Sequence, residues 1–209
     1  MRTWWMLILA SYLLGGIPFS YLIVRWRLGE DVRKLGSGNA GATNVLRTTG
    51  VGAGLATLIL DVLKGSAAVA AGILTSAPSA VVAVCGLAAV MGHVFPVYLR
   101  FRGGKGVATA AGALGLLSPF PMLVALGVFV IVVIPTRFVA LASISAAASY
   151  PLALAGASAL GWISSDGWLL GSTAAIAALI IYKHRDNIRR LRAGTEPRLE
   201  KGVIEKGAP

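Results

Sequence analysis

The chain has 209 residues, a formal net charge of +11, and 56% hydrophobic residues against 13% charged ones. A soluble domain needs about a quarter of its residues charged to cover its surface, so this composition, with a mean hydropathy of +0.79, excludes one. The positive excess does not point to nucleic acid either, because the charges cluster between apolar runs long enough to cross a bilayer, as the positive-inside rule requires of membrane proteins.

The first apolar run, residues 4–24, has no charge between Arg2 and Arg25 and reads as a retained span rather than a cleaved signal. It contains Gly15, Gly16 and Pro18, which membrane helices tolerate. Spans follow at residues 51–74 and 79–99. In the first of these, Asp61 and Lys64 stand one turn apart near mid-span, where charge is expensive and is either functional or paired; the spacing lets them pair with each other, and contact with a ligand stays open. Cys85 lies in the next span; with no second cysteine it reads as a small buried apolar residue.

Between Lys105 and Arg137 the apolar stretch is interrupted by Ser118-Pro119-Phe120-Pro121, so one long kinked span and two short ones, 107–117 and 121–134, are both admissible. Charge favours two. With two crossings, all of the 19 Lys and Arg except Arg2 and Lys64 fall on one side. With one crossing, Arg137 and the basic tail move outside, against the rule. Spans at 138–157 and 168–182 complete an all-α polytopic fold of seven transmembrane helices, N-terminus outside and C-terminus cytoplasmic. The whole chain, 1–209, reads as one membrane domain with 183–209 as a basic cytoplasmic tail, frayed and polar at 200–209.

Three loops on the positive side carry chemistry. The first, Gly36-Ser37-Gly38-Asn39-Ala40-Gly41-Ala42-Thr43-Asn44-Val45-Leu46-Arg47, formally matches a dinucleotide fingerprint, but no strand precedes it. The physics beneath that motif still applies. Glycines let backbone N–H groups approach an anion, Ser37, Asn39, Thr43 and Asn44 add neutral donors, and Arg47 adds a planar fork for phosphate. The second loop ends in Gly103-Gly104-Lys105-Gly106, without Walker spacing, and leads straight into a short helix whose N-terminal N–H groups suit an anion. His93, before the Phe95-Pro96 bend, reads as a structural hydrogen-bonder. In the third, a basic helix running from Lys183 and ending near Ala193-Gly194, His184 and Asn187 share one face. Its arginines Arg189, Arg190 and Arg192 equally suit anionic lipid headgroups.

Taken together, Ser37–Asn44 with Arg47, Gly92-His93 with Gly103–Thr109, and His184–Ile188 with Gly194-Thr195-Glu196-Pro197 resemble the PlsY family of bacterial acyl-phosphate:glycerol-3-phosphate acyltransferases; Asp61, Lys64 and Gly65 also look like that family's second span. The resemblance covers nearly the whole chain. It implies transfer of an acyl group from acyl phosphate to the 1-hydroxyl of glycerol 3-phosphate, giving lysophosphatidic acid and inorganic phosphate at the cytoplasmic face of the bacterial membrane. It implies no metal and no other cofactor. Its partners are the two small-molecule substrates and membrane lipid, with functional coupling to the enzyme that supplies acyl phosphate, and no nucleic acid.

Acyl phosphate already carries a good leaving group, so positioning two anions and stabilising the departing phosphate are the main tasks. Arg47 and Lys105 are the expected charged clamps, with Ser37, Gly38, Asn39, Gly41, Thr43, Asn44, Gly103 and Gly104 lining the pocket. By resemblance, Ser143, His184 and Asn187 complete it, His184 and Asn187 as catalytic residues. The general base stays open between His184 and a phosphate oxygen of the substrate; substrate-assisted transfer, with His184 positioning a phosphate, is the expectation. Two rival readings are an organic-phosphate transporter and a lipid-bound scaffold. The transporter is disfavoured because no internal repeat is visible and the basic residues gather at one face; the scaffold leaves the glycine-rich loops unused.

Overall fold

The structure, a computed structural model, describes residues 4–199. The expected polar end at 200–209 lies outside them, as does Arg2. All regular structure among the described residues is helical: α1 (Trp4–Gly16), α2 (Phe19–Leu28), α3 (Ala42–Thr49), α4 (Val51–Leu74), α5 (Ser79–Val94), α6 (Val107–Leu117), α7 (Pro119–Thr136), α8 (Val139–Ala159), α9 (Gly167–Lys183) and α10 (Arg185–Arg192), with 3-10 turns at Val32–Lys34 and Val97–Leu99. The all-α expectation holds. Five stretches are long and apolar enough to cross a membrane (Trp4–Leu28 taken as one); α6 and α9 are apolar but shorter.

The expected first span is two helices. Pro18 lacks an N–H and cannot continue α1, and the chain steps through Ile17-Pro18 before α2 begins. A break in a lipid-facing helix strands a carbonyl, which must be satisfied internally. At this break the Ile17 oxygen accepts from the Phe19 N–H at 3.1 Å and from Lys64 Nζ of α4 at 2.9 Å.

The interrupted stretch after Lys105 forms two separate helices, α6 and α7, joined at the extended residue Ser118. Helix α7 begins at Pro119, a little before the expected 121, because proline fits a first helical turn where no N–H is needed. With 11 residues, α6 is short. It reaches about 17 Å against a hydrocarbon core of about 30 Å. Its last carbonyls therefore end inside the protein, where the buried Tyr150 hydroxyl takes up Leu114 O at 2.9 Å with Ser118 O at 3.3 Å.

Two close helix crossings frame the loops. A Cβ added at Gly15 of α1 would stand 2.0 Å from Ala89 O, and one at Gly92 of α5 2.0 Å from Tyr12 O. The second crossing repeats this arrangement, Gly65 of α4 meeting Thr109 O and Gly112 of α6 meeting Val62 O, again at 2.0 Å. Each helix supplies the glycine on which its partner's backbone rests, the small-residue contact of membrane helices. Thus α1 is locked to α5, and α4 to α6.

Behind these pairs, Val90, Val94, Leu114, Tyr150, Leu154, Ile176 and Ile180 pack α5, α6, α8 and α9 into the main core. At the end away from the basic loops, Asp166 accepts from Leu169 N at 2.7 Å and from Ser79 Oγ at 2.6 Å, tying the start of α9 to that of α5. Helix α7 buries only Pro121 and Ala125 and presents Leu123, Ile131 and Ile134 outward, the apolar exterior a bilayer demands.

Candidate active site

The first loop is closed by one buried side chain. The Asn44 Oδ1 accepts from the Ser37 N–H at 2.9 Å and the Ser37 hydroxyl at 3.1 Å, while its Nδ2 donates to Leu35 O at 3.0 Å and Val32 O at 3.2 Å. Both ends of the amide are thereby used. Asn44 shapes the loop from within, and Ser37, Gly38 and Asn39 form its outer rim. Gly36 has φ +53°, and a Cβ there would meet Asn44 Oδ1 at 2.5 Å, so only glycine fits. Gly41 starts α3 without a side-chain cap, which leaves the first-turn N–H groups around Thr43 available to an anion. Arg47 lies one turn further, exposed, with its Nη2 3.4 Å from Pro197 O.

The second loop folds back on the end of α5. Gly103 N donates to Val94 O at 3.2 Å and Gly104 N to His93 O at 3.1 Å. There is no room for larger residues: a Cβ at Gly103 would lie 2.1 Å from His93 O, and one at Gly104 2.2 Å from His93 Nε2 and 2.6 Å from Ala40 O. Ala40 belongs to the first loop, so the two loops touch at Gly104. Arg33 adds a second tie, paired with Asp31 at 2.6 Å and donating to Leu99 O at 3.2 Å. The α6 start, at Gly106, also lacks a side-chain cap. Two open helix N-termini thus stand on adjoining loops, each with a partial positive charge.

The third segment brings the acceptors. Lys105 Nζ donates to Asn187 Oδ1. Asn187 Nδ2 donates to Glu196 Oε1 at 2.6 Å, and Glu196 Oε2 receives Arg190 Nε at 2.8 Å. The chain reverses after α10 at Gly194, φ +70°, with Thr195 N returning to Arg190 O, and this turn carries the buried Glu196 beneath Asn187. His184, buried at the junction of α9 and α10, places Nδ1 2.8 Å from Ile180 O. A carbonyl only accepts, so Nδ1 carries the proton and Nε2 keeps its lone pair.

Burial, helped by the charges of Arg190 and Arg47, lowers the Lys105 pKa to about 8 against the pull of Glu196 and Asp186. Burial, with the Lys105 charge beside it, lowers the His184 pKa to about 4 against the pull of Ile180 O and Glu196. The site therefore holds a neutral imidazole and a lysine that titrates just above neutrality.

Arg47, Lys105, His184 and Asn187, drawn from three distant segments, converge here with Gly103 and Gly104. Ser37, Gly38, Asn39, Gly41 and Thr43 stand on the adjoining loop. Ser143, buried in the second turn of α8, donates its hydroxyl to Val139 O at 2.8 Å, and α8 is held near the site by Leu199 N donating to Arg137 O at 2.8 Å. Two residues of the cluster were not among the expected site residues. Glu196 lay within a motif, but its role depends on a chain reversal that only Gly194 announced. Arg190 read as a headgroup ligand, and its pairing with Glu196 shows a second task.

The chain matches the family model described as glycerol-3-phosphate acyltransferase over residues 5–194. It is similar to the glycerol-3-phosphate acyltransferases of Geotalea daltonii, 50% identical over 91% of this chain and 94% of that protein, and of Geobacter sulfurreducens, 46% identical over the same shares. Among solved structures it resembles PlsY, an integral membrane glycerol 3-phosphate acyltransferase, in its glycerol 3-phosphate form, with a TM-score of 0.89, 38% identity, and coverage of 98% of this chain and 100% of that one. Its likeness to the lysophosphatidic acid form has a TM-score of 0.84 at 37% identity, with the same coverage.

Proposed function

Because the chain belongs to the glycerol-3-phosphate acyltransferase family of integral membrane enzymes, we propose that its acyl donor is an acyl phosphate and its acceptor the 1-hydroxyl of glycerol 3-phosphate. Lysophosphatidic acid and inorganic phosphate are the products, and the step leads into phospholipid synthesis. The supporting observation is the meeting of Arg47 and Lys105 with two uncapped helix starts on adjoining loops. Two phosphates held side by side repel each other, and positive charge gathered from both loops offsets that repulsion.

The hydroxyl oxygen attacks the acyl carbon, the bond from that carbon to the phosphate oxygen breaks, and the hydroxyl proton ends on the departing phosphate. Atoms and charge balance without an enzyme-bound acyl group. The Ser37 hydroxyl on the loop rim has an amide, Asn44, as its hydrogen-bond partner and not a base. His184 with a pKa near 4 is a weak proton acceptor at neutral pH, which favours a phosphate oxygen in that role. Its Nε2 lone pair is suited to orient a hydroxyl, on the glycerol or on a protonated phosphate. Arg47 and Lys105 hold the phosphoryl groups, the rim of Ser37, Gly38, Asn39, Gly41 and Thr43 lines the pocket, Asn44 shapes it, and Ser143 closes it from the α8 side. Asn187 aims Lys105.

The same reading makes the chain a single membrane domain of seven spans, with α6 and α7 as the short fourth and a fifth, N-terminus outside, in the bacterial cytoplasmic membrane. The active site then faces the cytoplasm, where coupling to the enzyme that makes acyl phosphate is possible. The charge asymmetry supports this orientation.

The test is donor choice. Purified protein in detergent with palmitoyl phosphate and glycerol 3-phosphate is expected to release inorganic phosphate and lysophosphatidic acid, and palmitoyl-CoA is expected to give no product. Turnover with palmitoyl-CoA but not palmitoyl phosphate overturns the donor assignment.

A further inference from the structure

Beside the site lies a second buried polar cluster to which the transfer reaction assigns no role. Asp61, Lys64 and His93 are 2%, 3% and 7% exposed. Asp61 Oδ1 stands 2.8 Å from Lys64 Nζ and 3.5 Å from His93 Nδ1, without a hydrogen bond aligned on it. Lys64 also holds Ile17 O at the break between α1 and α2. These three side chains share the wall of one small cavity with Ala40, Gly103 and Gly104.

Their places in the fold are specific. Asp61 and Lys64 belong to α4, which is locked to α6 through Gly65 and Gly112; His93 follows Gly92, which locks α5 to α1. The cluster is therefore the polar joint between the two locked pairs. The second loop leaves α5 at His93-Val94 and enters α6 after Gly106, so its two ends are carried by different pairs. Whatever fixes one pair against the other also fixes the span this loop must bridge. His93 acts on the loop directly as well, since its carbonyl receives Gly104 N and its Nε2 rests against the Gly104 backbone, next to Lys105. An ion pair here is costly, and apolar side chains of the same volume would give comparable or better stability. What they would not give is the bond from Lys64 of α4 to Ile17 O at the end of α1, or the polar contact of Asp61 with His93 of α5.

We propose that the Asp61–Lys64–His93 cluster is a positioning device for the transfer reaction: it sets the α4–α6 pair against the α1–α5 pair and so holds Gly104 and Lys105 in register over the phosphate site. The inference rests on the reading of Lys105 as a phosphate clamp.

The experiment compares His93→Ala, His93→Gln, the doubly neutralised Asp61→Asn/Lys64→Gln and Lys105→Met with the parent enzyme. Measured for each are kcat and KM for glycerol 3-phosphate, the pH dependence of kcat/KM, and Tm in detergent. The groups around Lys105 (Glu196, Arg190, Arg47, Asp186, Asn187 and His184) are left intact, so a moved basic limb reports the placement of Lys105 itself. His93→Ala is expected to lower kcat/KM by about 30-fold and to shift the basic limb upward as Lys105 becomes solvated. His93→Gln, which keeps a donor toward Asp61, is expected to recover to within about threefold of the parent. Kinetics of His93→Ala within about twofold of the parent with an unmoved limb overturn the proposal, as does a loss of Tm shared equally by both His93 variants with no movement of the limb. If His93→Ala yields no folded protein, the double variant decides, an upward-moved limb supporting the proposal and an unmoved one overturning it. Full activity in Lys105→Met removes the underlying clamp; an inactive Lys105→Met beside an unaffected His93→Ala removes only the positioning role.

Discussion

The Nζ of Lys105 and the amide oxygen of Asn187, 82 positions apart in the chain, meet in a direct hydrogen bond, and the other end of that amide is held by Glu196. Asn187 is therefore a link whose two halves do opposite jobs, accepting from a cation and donating to a carboxylate. Asn187→Ala breaks both. The expected loss is about 100-fold in kcat/KM, or about 2–3 kcal/mol, the scale for leaving a buried charged partner without its hydrogen bond. Asn187→Asp keeps the acceptor toward Lys105 but turns a second oxygen toward Glu196, and like charges that close should not recover activity. Steady-state kinetics on both variants check the point, and parental rates in Asn187→Ala would remove the link.

The lysine itself sets a pH dependence. With its pKa lowered to about 8, Lys105 loses the charge of the proposed clamp as pH rises through that value. The logarithm of kcat/KM for glycerol 3-phosphate is expected to fall above about pH 8, while saturating substrate, whose phosphate raises the lysine pKa, extends the plateau of kcat. Glu196 raises the lysine pKa in the folded site. Glu196→Gln should thus move the limb toward lower pH, and a limb unmoved in that variant would show that the carboxylate is not felt by Lys105.

His184 offers a contrasting test. Its proton is fixed on Nδ1 by Ile180 O, and its pKa near 4 leaves it neutral at pH 7. His184→Gln retains a side-chain donor and acceptor but cannot titrate. If the imidazole orients a hydroxyl and a phosphate oxygen takes the proton, the variant should keep at least about a tenth of the parental kcat, with KM raised. A drop in kcat of about 1,000-fold or more with unchanged KM would instead assign the proton transfer to His184.

Much of this site was legible before any coordinates. Glycines, small donors and a lysine or arginine crowd into short loops for few reasons in a membrane protein, and the charge distribution alone argued for splitting 107–134 into two helices. What stayed hidden were contacts between segments. The spacing of Asp61 and Lys64 on one helix allowed their pairing without deciding it, and nothing in the sequence placed His93 against Asp61, because that contact depends on how α4 and α5 cross. Pro18 was visible, yet the break it causes is stabilised by Lys64 reaching Ile17 O, a long-range bond. Asn44 looked like a pocket donor by composition; its four hydrogen bonds turn it inward, so its effect on substrate passes through loop shape.

Arg47 differs from Lys105 in being exposed and, among the described residues, in having a 3.4 Å contact with Pro197 O as its hydrogen bond. An exposed fork can close on a phosphate, and the role proposed for Arg47 is therefore one of ligand binding rather than of fold. Arg47→Ala is expected to lower kcat/KM by several kcal/mol, roughly 3–5, with Tm within about one degree of the parent. Arg47→Lys, which gives a point charge in place of a planar fork, should recover only part of it. Equal losses of Tm and activity would make the residue structural instead.

The glycine crossings predict a loss of stability at one glycine and none at another of the same type. A methyl group at Gly112 would lie 2.0 Å from the Val62 carbonyl oxygen, which is backbone and cannot swing aside, so α4 and α6 must separate. At Gly127 in α7 the same methyl group meets nothing within 4 Å. Gly112→Ala is expected to cost about 3 kcal/mol or more, the upper range for overpacking. Gly127→Ala should be neutral or stabilise by about 0.5–1 kcal/mol through helix propensity. Because α6 carries the helix start next to Lys105, Gly112→Ala should also lower kcat/KM in the protein that remains folded, whereas Gly127→Ala should leave it unchanged. Thermal melting in detergent beside kinetics separates the two effects. A Gly112→Ala protein with parental Tm would mean that the α4–α6 contact is looser than the crossing described here, and the rigid frame assigned to the Lys105 loop would go with it.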